Sequence, residues 1–272
     1  MDATAANNKK IKEIVREKYS QIALQSQDSG CCCGCSCGSN EETVDYTQFS
    51  ESYDSLKGYN SDADLGLGCG LPTQFAKIKK GDTVVDLGSG AGNDCFVARA
   101  ETGENGKVIG IDFSDEMLAK ARTNAAKLGF SNIEFIKGDI EELPLESNIA
   151  NVVVSNCVLN LVPDKQKAFN QIFRILKPQG HFSISDVVLI GELPSKLRDA
   201  AEMYAGCVSG AIQKNDYLDV IRNAGFKNTI IQKEKAITIP DEIMLNFLNF
   251  EELKAFKQSG VGIFSITVYG EK

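Results

Sequence analysis

The sequence has little that would tie it to a membrane or to nucleic acid. It contains no run of about 18 apolar residues, which excludes a transmembrane helix. Residues 1–10 are polar and lack the apolar stretch of a signal peptide. No run of Lys or Arg exceeds two residues and the formal net charge is −8, so a nucleic-acid-binding surface is not expected. We therefore expect a soluble cytoplasmic protein and, since nothing demands an oligomer, a monomer.

Two missing motifs narrow the choice of cofactor. No G-x-x-x-x-G-K-[ST] segment occurs, which excludes a phosphate-binding P-loop. The dinucleotide pattern G-x-G-x-x-G is incomplete, because Gly88 and Gly90 fit but the third glycine, Gly92, stands one residue early. The chain also has a single histidine, His181, which begins a strand and is expected to be structural.

From residue 82 onward, short apolar strands alternate with helices. Strands are expected at 83–87, 108–111, 133–136, 152–155 and 182–189, and the helices between them include one capped by Ser114. This order predicts an α/β fold with a Rossmann-like parallel sheet and helices on both faces. Additional elements are expected outside it: an amphipathic helix at 8–25, helices at 195–207, 215–224 and near 241–257, and strands at 227–237 and 263–269.

Polar residues follow the first three of these strands. Asp86 precedes the glycine turn by two residues, where an acid would oppose a bound pyrophosphate but suits a cationic ligand such as a sulfonium amino acid. Asp112 ends the second strand, the position at which a carboxylate binds ribose hydroxyls. Asp139 and Ile140 follow the third strand and offer a polar group beside an apolar one, which suits an adenine edge and face.

Together, the segments 85–92, 110–112 and 138–140 resemble the class I S-adenosylmethionine methyltransferases, over roughly residues 70–235. The resemblance implies S-adenosylmethionine as the cofactor, with its methionine part facing Asp86 and the glycine loop, its ribose at Asp112, and its adenine at Asp139 and Ile140. The remaining residues expected in the cofactor site are Gly88, Ser89, Gly90, Gly92, Phe113 and Asn156.

Nine cysteines are many for a cytosolic chain, where structural disulfides are disfavoured. Cys157 follows the fourth strand, at the edge where open parallel sheets bind ligands. Cys69 lies in a glycine-rich loop, and Cys207 ends an expected helix between glycines. Any one of them alone is typical of a small core residue. Three together suggest a site for a soft ion, and they lack the C-x₂₋₄-C pairs of zinc sites. A pyramid of three thiolates suits trivalent arsenic, whose lone pair is a nucleophile towards a methyl sulfonium.

The segments 65–70, 155–161 and 204–207, with the tail 256–272, look like those of the arsenite methyltransferases, and the similarity covers nearly the whole chain. It implies methylation of arsenite or its thiol conjugates, with arsenic held by Cys157 and Cys207. Cys69 and one N-terminal cysteine would join in redox steps, and thioredoxin or glutathione would reduce the resulting disulfide. Cys95 matches no arsenic-binding position and is expected in the core.

The N-terminal partner is ambiguous among five cysteines: Cys31, Cys32, Cys33, Cys35 and Cys37. This segment is interpreted either as an arm that loads arsenic or a metal, or as a mostly disordered stretch of which one cysteine is used. The interleaved glycines favour the second interpretation, because ordering them is entropically costly.

We divide the chain into three parts. Residues 1–70 form an N-terminal helical and cysteine-rich arm, residues 71–190 the S-adenosylmethionine-binding domain, and residues 191–272 an arsenic-binding and C-terminal α+β region.

An alternative function is methylation of carbon or oxygen on a small organic molecule such as a quinone or sterol precursor, which would not need thiols at 69, 157 and 207. A thiol-based arsenic-binding protein without methyl transfer is a further alternative, against which the intact Asp86, Asp112 and Asp139 argue.

Overall fold

A computed structural model describes residues 3–25, 51–195, 197, 208 and 210–272. Its strands are β1 (Thr83–Leu87), β2 (Lys107–Asp112), β3 (Ile133–Lys137), β4 (Ala150–Asn156), β5 (Leu176–Ile190), β6 (Lys227–Ile237) and β7 (Gly262–Glu271). They form one seven-stranded sheet within these residues, in the order β3-β2-β1-β4-β5-β7-β6. The first five strands are parallel, and β7 runs antiparallel between β5 and β6. The predicted α/β class is therefore confirmed.

The described helices are α1 (Ala3–Gln25), α2 (Pro72–Phe75), α3 (Asn93–Thr102), α4 (Asp115–Lys127), α5 (Lys165–Ile175), α6 (Lys214–Asn223), α7 (Asp241–Met244) and α8 (Phe250–Gln258), with a 3₁₀ turn at Leu159–Leu161. The cap predicted for α4 is present, because Ser114 Oγ accepts the N–H of Met117 at 3.2 Å. Asp164 caps α5 in the same way. None of the helices in the described residues is long and apolar enough to cross a membrane.

Helices cover both faces of the sheet because successive strand residues point to opposite sides. On one face, Val84 and its neighbours pack against α3 and α4, with Phe96 fully buried between them. On the other face, Val85 and its neighbours pack against α5 and α6, where Phe169 contacts the ring of Tyr217 edge-on. These two apolar layers hold the carboxyl ends of the parallel strands in fixed register, where the site lies.

Two elements differ in extent from the sequence prediction. β5 begins at Leu176 rather than 182, and β7 pairs with it from His181 to Ile190, which gives the long strand a partner over most of its length. The helical region near 241–257 consists of two short helices, α7 and α8, of which the second starts at a capping box on Asn249. Of the helix expected at 195–207, Ser195 and Leu197 are described and both are helical.

Candidate cofactor and thiol site

A cavity of about 460 Å³ opens at the carboxyl ends of β1, β2 and β4, where open parallel sheets bind ligands. Most residues that the sequence predicts for a cofactor line it: Asp86, Gly88, Ser89, Gly90, Asp112, Phe113, Asp139, Ile140 and Asn156. Gly92 stands just behind it, as the N-cap of α3 with a φ of 100°. The fold thus collects at one edge of the sheet residues that are dispersed over some 70 positions of the chain.

Asp112 fastens the glycine loop to the end of β2. One of its carboxylate oxygens accepts the N–H of Gly90 and the other accepts the N–H of Ser114, both at 2.9 Å. Burial raises the pKa of Asp112, and these backbone N–H groups oppose the rise. Gly88 is required beside it, because its φ is 72° and a Cβ there would lie 2.4 Å from Cγ2 of Val158.

Two acids, the buried Asp86 and the half-buried Asp94, form the floor of the cavity. Asp86 is 2% exposed, and burial together with the charge of Asp94 raises its pKa well above the ordinary value. Burial also raises the pKa of Asp94 to about 6, although hydrogen bonds from Tyr53, Asn156 and Thr73 counter the rise. Two neighbouring carboxylates with little solvent repel one another, and a cationic ligand would relieve that repulsion.

Asn156 connects these acids to the loop that carries Cys69. Its side-chain nitrogen donates to Tyr53 Oη at 2.6 Å and to the carbonyl oxygen of Gly70 at 2.8 Å, and it lies 3.3 Å from Asp94 Oδ2. Its side-chain oxygen accepts the N–H of Cys69 at 3.0 Å. Tyr53 in turn donates to Asp94 Oδ2 at 2.8 Å. The side-chain amide of Asn156 therefore forms hydrogen bonds with both the acidic part of the cavity and the loop that carries Cys69.

Helix α1 lies along the opposite rim. Lys12 on this helix forms ion pairs with Asp139 at 2.6 Å and with Glu141 at 2.7 Å, and Arg16 and Tyr19 also line the cavity. Ser20 Oγ donates to Glu116 Oε2 at 2.6 Å, which ties the same helix to α4. The rim at Asp139 is thus contributed by two segments that are far apart in the sequence.

Two of the predicted thiols belong to one apolar cluster, and one of them lines the cavity. Cys157 lines the cavity and is 4% exposed, while Cys69, 2% exposed, lies in the same apolar cluster. That cluster also contains Val187, Leu189 and Val208. Ser265 Oγ donates to the carbonyl oxygen of Cys69 at 2.5 Å, which fixes the loop to β7.

The other cysteines are accounted for as follows. Cys207 and the five N-terminal cysteines lie outside the described residues. Cys95 is fully buried in the core, as predicted, and its thiol donates to Asp86 Oδ2 at 3.2 Å. His181 contacts the carbonyl oxygen of Ala76 at 2.6 Å and packs on the ring of Tyr269, in keeping with a structural role. In the described part of the chain, no three His, Cys, Asp or Glu side chains gather as a metal site.

The sequence profile of the methyltransferase domain family matches residues 78–225, more than half of the chain. An arsenite methyltransferase of Halobacterium salinarum is 42% identical over 227 residues, which are 79% of this chain and 57% of the relative. One from Aquipseudomonas alcaligenes is 37% identical over 65% of this chain and 53% of its own length. The crystal structure of an arsenic(III) S-adenosylmethionine methyltransferase from Chlamydomonas reinhardtii superposes with a TM-score of 0.63 at 33% identity, over 75% of this chain and 67% of that chain.

The chain belongs to the arsenite methyltransferase family. It spans little more than half the length of the two curated relatives. The cofactor of an arsenite methyltransferase of this fold is S-adenosylmethionine, and the cavity fits it. The carboxylates of Asp86 and Asp94 suit its positively charged methionine part, and Asp112 presents a carboxylate at the end of β2.

Sequence analysis misses some residues of this site. Asp94 lies in the first turn of α3, directly after the glycine loop. An acid at the start of this helix is the sequence feature that could have indicated its place in the site. Tyr53 and the α1 residues carry no local signal, because Tyr53 meets Asn156 across 103 positions and Lys12 meets Asp139 across 127 positions. Only the folded chain identifies them.

Proposed function

We propose that this chain transfers a methyl group from S-adenosylmethionine to trivalent arsenic bound by Cys157 and Cys207. One observation carries the proposal: Cys157, a buried thiol at the end of β4, lines the same cavity as the acid pair Asp86 and Asp94. An acceptor held by this sulfur faces the place where a cationic methyl donor fits best. A quinone or sterol methyltransferase has no use for such a thiol.

The surroundings of the thiols favour arsenic over a hydrated metal ion. Cys157 and Cys69 lie among apolar side chains, where an uncharged bound group costs less to bury than a hydrated ion. Arsenite, As(OH)₃, would react with the thiols of Cys157 and Cys207 and with one thiol of glutathione to give three As–S bonds and three molecules of water, so the bound arsenic carries no net charge. Soft sulfur ligands also prefer a soft acceptor. The product keeps a lone pair on arsenic, opposite the three sulfurs.

S-adenosylmethionine, when bound, supplies a methyl group made electrophilic by the positive sulfur. The chain's own residues orient the partners. Asp86 and Asp94 would hold the cationic part, Asp112 the ribose, and Asp139 with Ile140 the adenine. Cys157 would hold arsenic with its lone pair toward the cavity, and such positioning alone can supply roughly 7–11 kcal/mol of the barrier reduction. No general base is needed, because the lone pair carries no proton.

Methylation formally raises arsenic to the pentavalent state, and two thiols can return it to the trivalent state. Their two sulfurs join in one disulfide, and arsenic takes up the two electrons as one of its As–S bonds breaks. One proton goes to the departing sulfur and the other to solvent, and thioredoxin or glutathione then reduces the disulfide by thiol exchange. We assign this role to Cys69 with one of Cys31, Cys32, Cys33, Cys35 and Cys37. Its support is the position of Cys69 in the same apolar cluster as Cys157.

The decisive experiment incubates the protein with labelled S-adenosylmethionine, arsenite and a reductant and analyses the arsenic species. We expect methylated arsenic from the unaltered chain. Cys157→Ser and Cys207→Ser should each abolish it while calorimetry shows unchanged affinity for S-adenosylhomocysteine. Full activity in either variant would remove that cysteine from the arsenic site.

A third variant tests the redox assignment separately. Cys69→Ser should complete one turnover but should not sustain several with a monothiol reductant alone. Undiminished multiple turnover under those conditions would show that Cys69 takes no part in reduction.

A further inference from the structure

Beneath the turn that follows Cys157 lies a buried polar cluster that the proposed chemistry does not use. It consists of Asp186 on β5, Tyr217 on α6 and Lys165 on α5, none of which lines the cavity. Asp186 and Tyr217 are fully buried, and Lys165 is 9% exposed. Tyr217 Oη donates to Asp186 Oδ2 at 2.9 Å, and the other carboxylate oxygen accepts the N–H of Val187 at 3.1 Å.

This cluster binds the backbone of the 3₁₀ turn Leu159–Leu161. Lys165 Nζ donates to the carbonyl oxygen of Asn160 at 2.9 Å and to that of Val162 at 3.1 Å. The backbone N–H of Asn160 donates to the Asp186 carboxylate. Lys165 and Asp186 therefore bind the two peptide groups on either side of Asn160. Hydrogen bonds to charged groups such as these are stronger than those between neutral groups.

The turn begins two residues after Cys157, whose backbone conformation is unusual. Cys157 has a φ of 59°, in the left-handed region that costs a residue other than glycine about 1–2 kcal/mol. Such a conformation persists only where its surroundings determine it. Here the N–H of Cys157 donates to the carbonyl oxygen of Ser185 at 2.8 Å, and Ser185 directly precedes Asp186. The cluster and the strained cysteine are thus fixed by the same short stretch of β5.

The same turn also touches the chain just beyond the second predicted arsenic ligand. A Cβ at Gly210 would lie 2.0 Å from the carbonyl oxygen of Asn160, the atom that Lys165 binds. Gly210 stands three residues after Cys207 in the sequence. Movement of the Asn160 peptide would therefore disturb both segments that supply arsenic ligands in the proposed function.

We propose that Asp186, Tyr217 and Lys165 form a positioning cluster that holds Cys157 in its left-handed conformation at the cavity. The cluster acts through the Asn160 turn, and none of its three residues lines the cavity, although Tyr217 also interacts electrostatically with Cys69 and Cys157. Its effect on arsenic binding rests on the proposed function, whereas its effect on Cys157 does not. An experiment can therefore refute the positioning of Cys157 without refuting arsenic methylation, and the reverse.

The primary experiment measures how fast N-ethylmaleimide alkylates each cysteine of the full chain, by peptide mass spectrometry. A buried thiol reacts through local opening, so its rate reports how firmly its segment is held. In Asp186→Ala we expect Cys157 to react about tenfold faster, the factor that ~1.4 kcal/mol of lost restraint corresponds to. Cys95, buried on the face of the sheet opposite Asp186 and Tyr217, should keep its rate.

Two further variants separate positioning from general damage. Asp186→Asn keeps an acceptor for the Asn160 N–H, and it should stay within about threefold of the unaltered rate at Cys157. Phe169→Leu loosens the ring that packs on Tyr217 but removes no hydrogen bond of the turn, and it should not accelerate Cys157 selectively. If Asp186→Ala does not fold, Tyr217→Phe removes one bond to the same carboxylate and should give a smaller acceleration in the same direction.

The proposal is overturned if Asp186→Ala or Tyr217→Phe leaves the Cys157 rate unchanged, if Cys95 accelerates equally, or if Asp186→Asn is as fast as Asp186→Ala. A second readout, arsenite affinity, should weaken in Asp186→Ala and recover in Asp186→Asn while S-adenosylhomocysteine affinity stays constant. If Asp186→Ala accelerates alkylation of Cys157 alone but the unaltered chain never methylates arsenite, the proposed function is refuted and the positioning role of the cluster is still supported.

Discussion

The side-chain oxygen of Asn156 accepts the backbone N–H of Cys69 at 3.0 Å, although 87 residues separate them along the chain. The nitrogen of the same amide donates to Tyr53. Gly68 makes this approach possible, because a Cβ there would lie 2.6 Å from the Asn156 nitrogen. One side chain thus links the floor of the cofactor cavity to a thiol-bearing loop.

Replacement of this link should affect both sides of the site. We expect Asn156→Ala to weaken S-adenosylhomocysteine binding about tenfold, because hydrogen bonds near charged groups contribute about 1.5–3 kcal/mol each. Alkylation of Cys69 should accelerate in the same variant. Calorimetry and peptide mass spectrometry measure the two effects. Asn170→Ala, on the exposed side of α5, serves as the control and should change neither.

The glycine loop offers a matched pair of substitutions. Gly88→Ala should lower the unfolding free energy by about 2 kcal/mol or more, because it adds left-handed strain and pushes Val158 aside. Gly90 has a φ of 51°, but no atom lies within 4 Å of the Cβ that alanine would add. Gly90→Ala should therefore lower the unfolding free energy only by the backbone strain, about 1 kcal/mol. Urea denaturation measures both. Equal losses would show that the contact with Val158 is unimportant.

The ionisation of Asp94 should make cofactor binding pH-dependent. Its pKa of about 6 means that the carboxylate charge, which attracts a cationic ligand, develops as the pH rises from 5 to 7. Affinity for S-adenosylmethionine should therefore increase through this range, and Asp94→Asn should flatten the increase. A binding curve of the variant that rises as steeply as that of the unaltered chain would assign the effect to another group.

Stability without ligand should show the opposite trend. The folded-state pKa of Asp94 lies above the ordinary value of 3.8, so between about pH 4 and pH 6 the folded chain binds more protons than the unfolded chain. The free energy of unfolding should consequently fall as the pH rises through that window. Asp86 and Asp112, whose pKa values are also raised by burial, act in the same direction. Asp94→Asn should reduce the fall, as urea titrations at several pH values would reveal.

The ion pairs of Lys12 should contribute modestly. Lys12 and Asp139 are partly exposed, and the nearly buried Glu141 would keep its hydrogen bond from the N–H of Asp164. Ion pairs with a partly exposed partner contribute about 0–1 kcal/mol that salt screens. Lys12→Ala should therefore lower the unfolding free energy by less than about 1 kcal/mol at low salt, and by nearly nothing at about 1 M salt. Lys10→Ala, an exposed neighbour on α1, is the control. A loss that persists in high salt would indicate packing by the Lys12 stem instead of charge.

Much of the fold was readable from the chain. Alternation of apolar strands and amphipathic helices predicted β1 to β5 and the helices between them, because each element carries its own periodicity. The positions of Asp86, Asp112 and Asp139 at strand ends also predicted that they meet, since consecutive parallel strands end at one edge of a sheet. The length of β5 was underestimated, because its extension depends on pairing with β7, far along the chain.

The sequence by itself therefore determined the fold class, the cofactor edge and the chemical nature of the thiols. Only the tertiary structure decided which side chains complete the site: Tyr53 and Asp94 at the floor, α1 at the rim, and Asn156 between the cofactor cavity and Cys69. The reason is physical. A local pattern encodes what a segment becomes, whereas contacts across a hundred residues exist only after both faces of the sheet are packed.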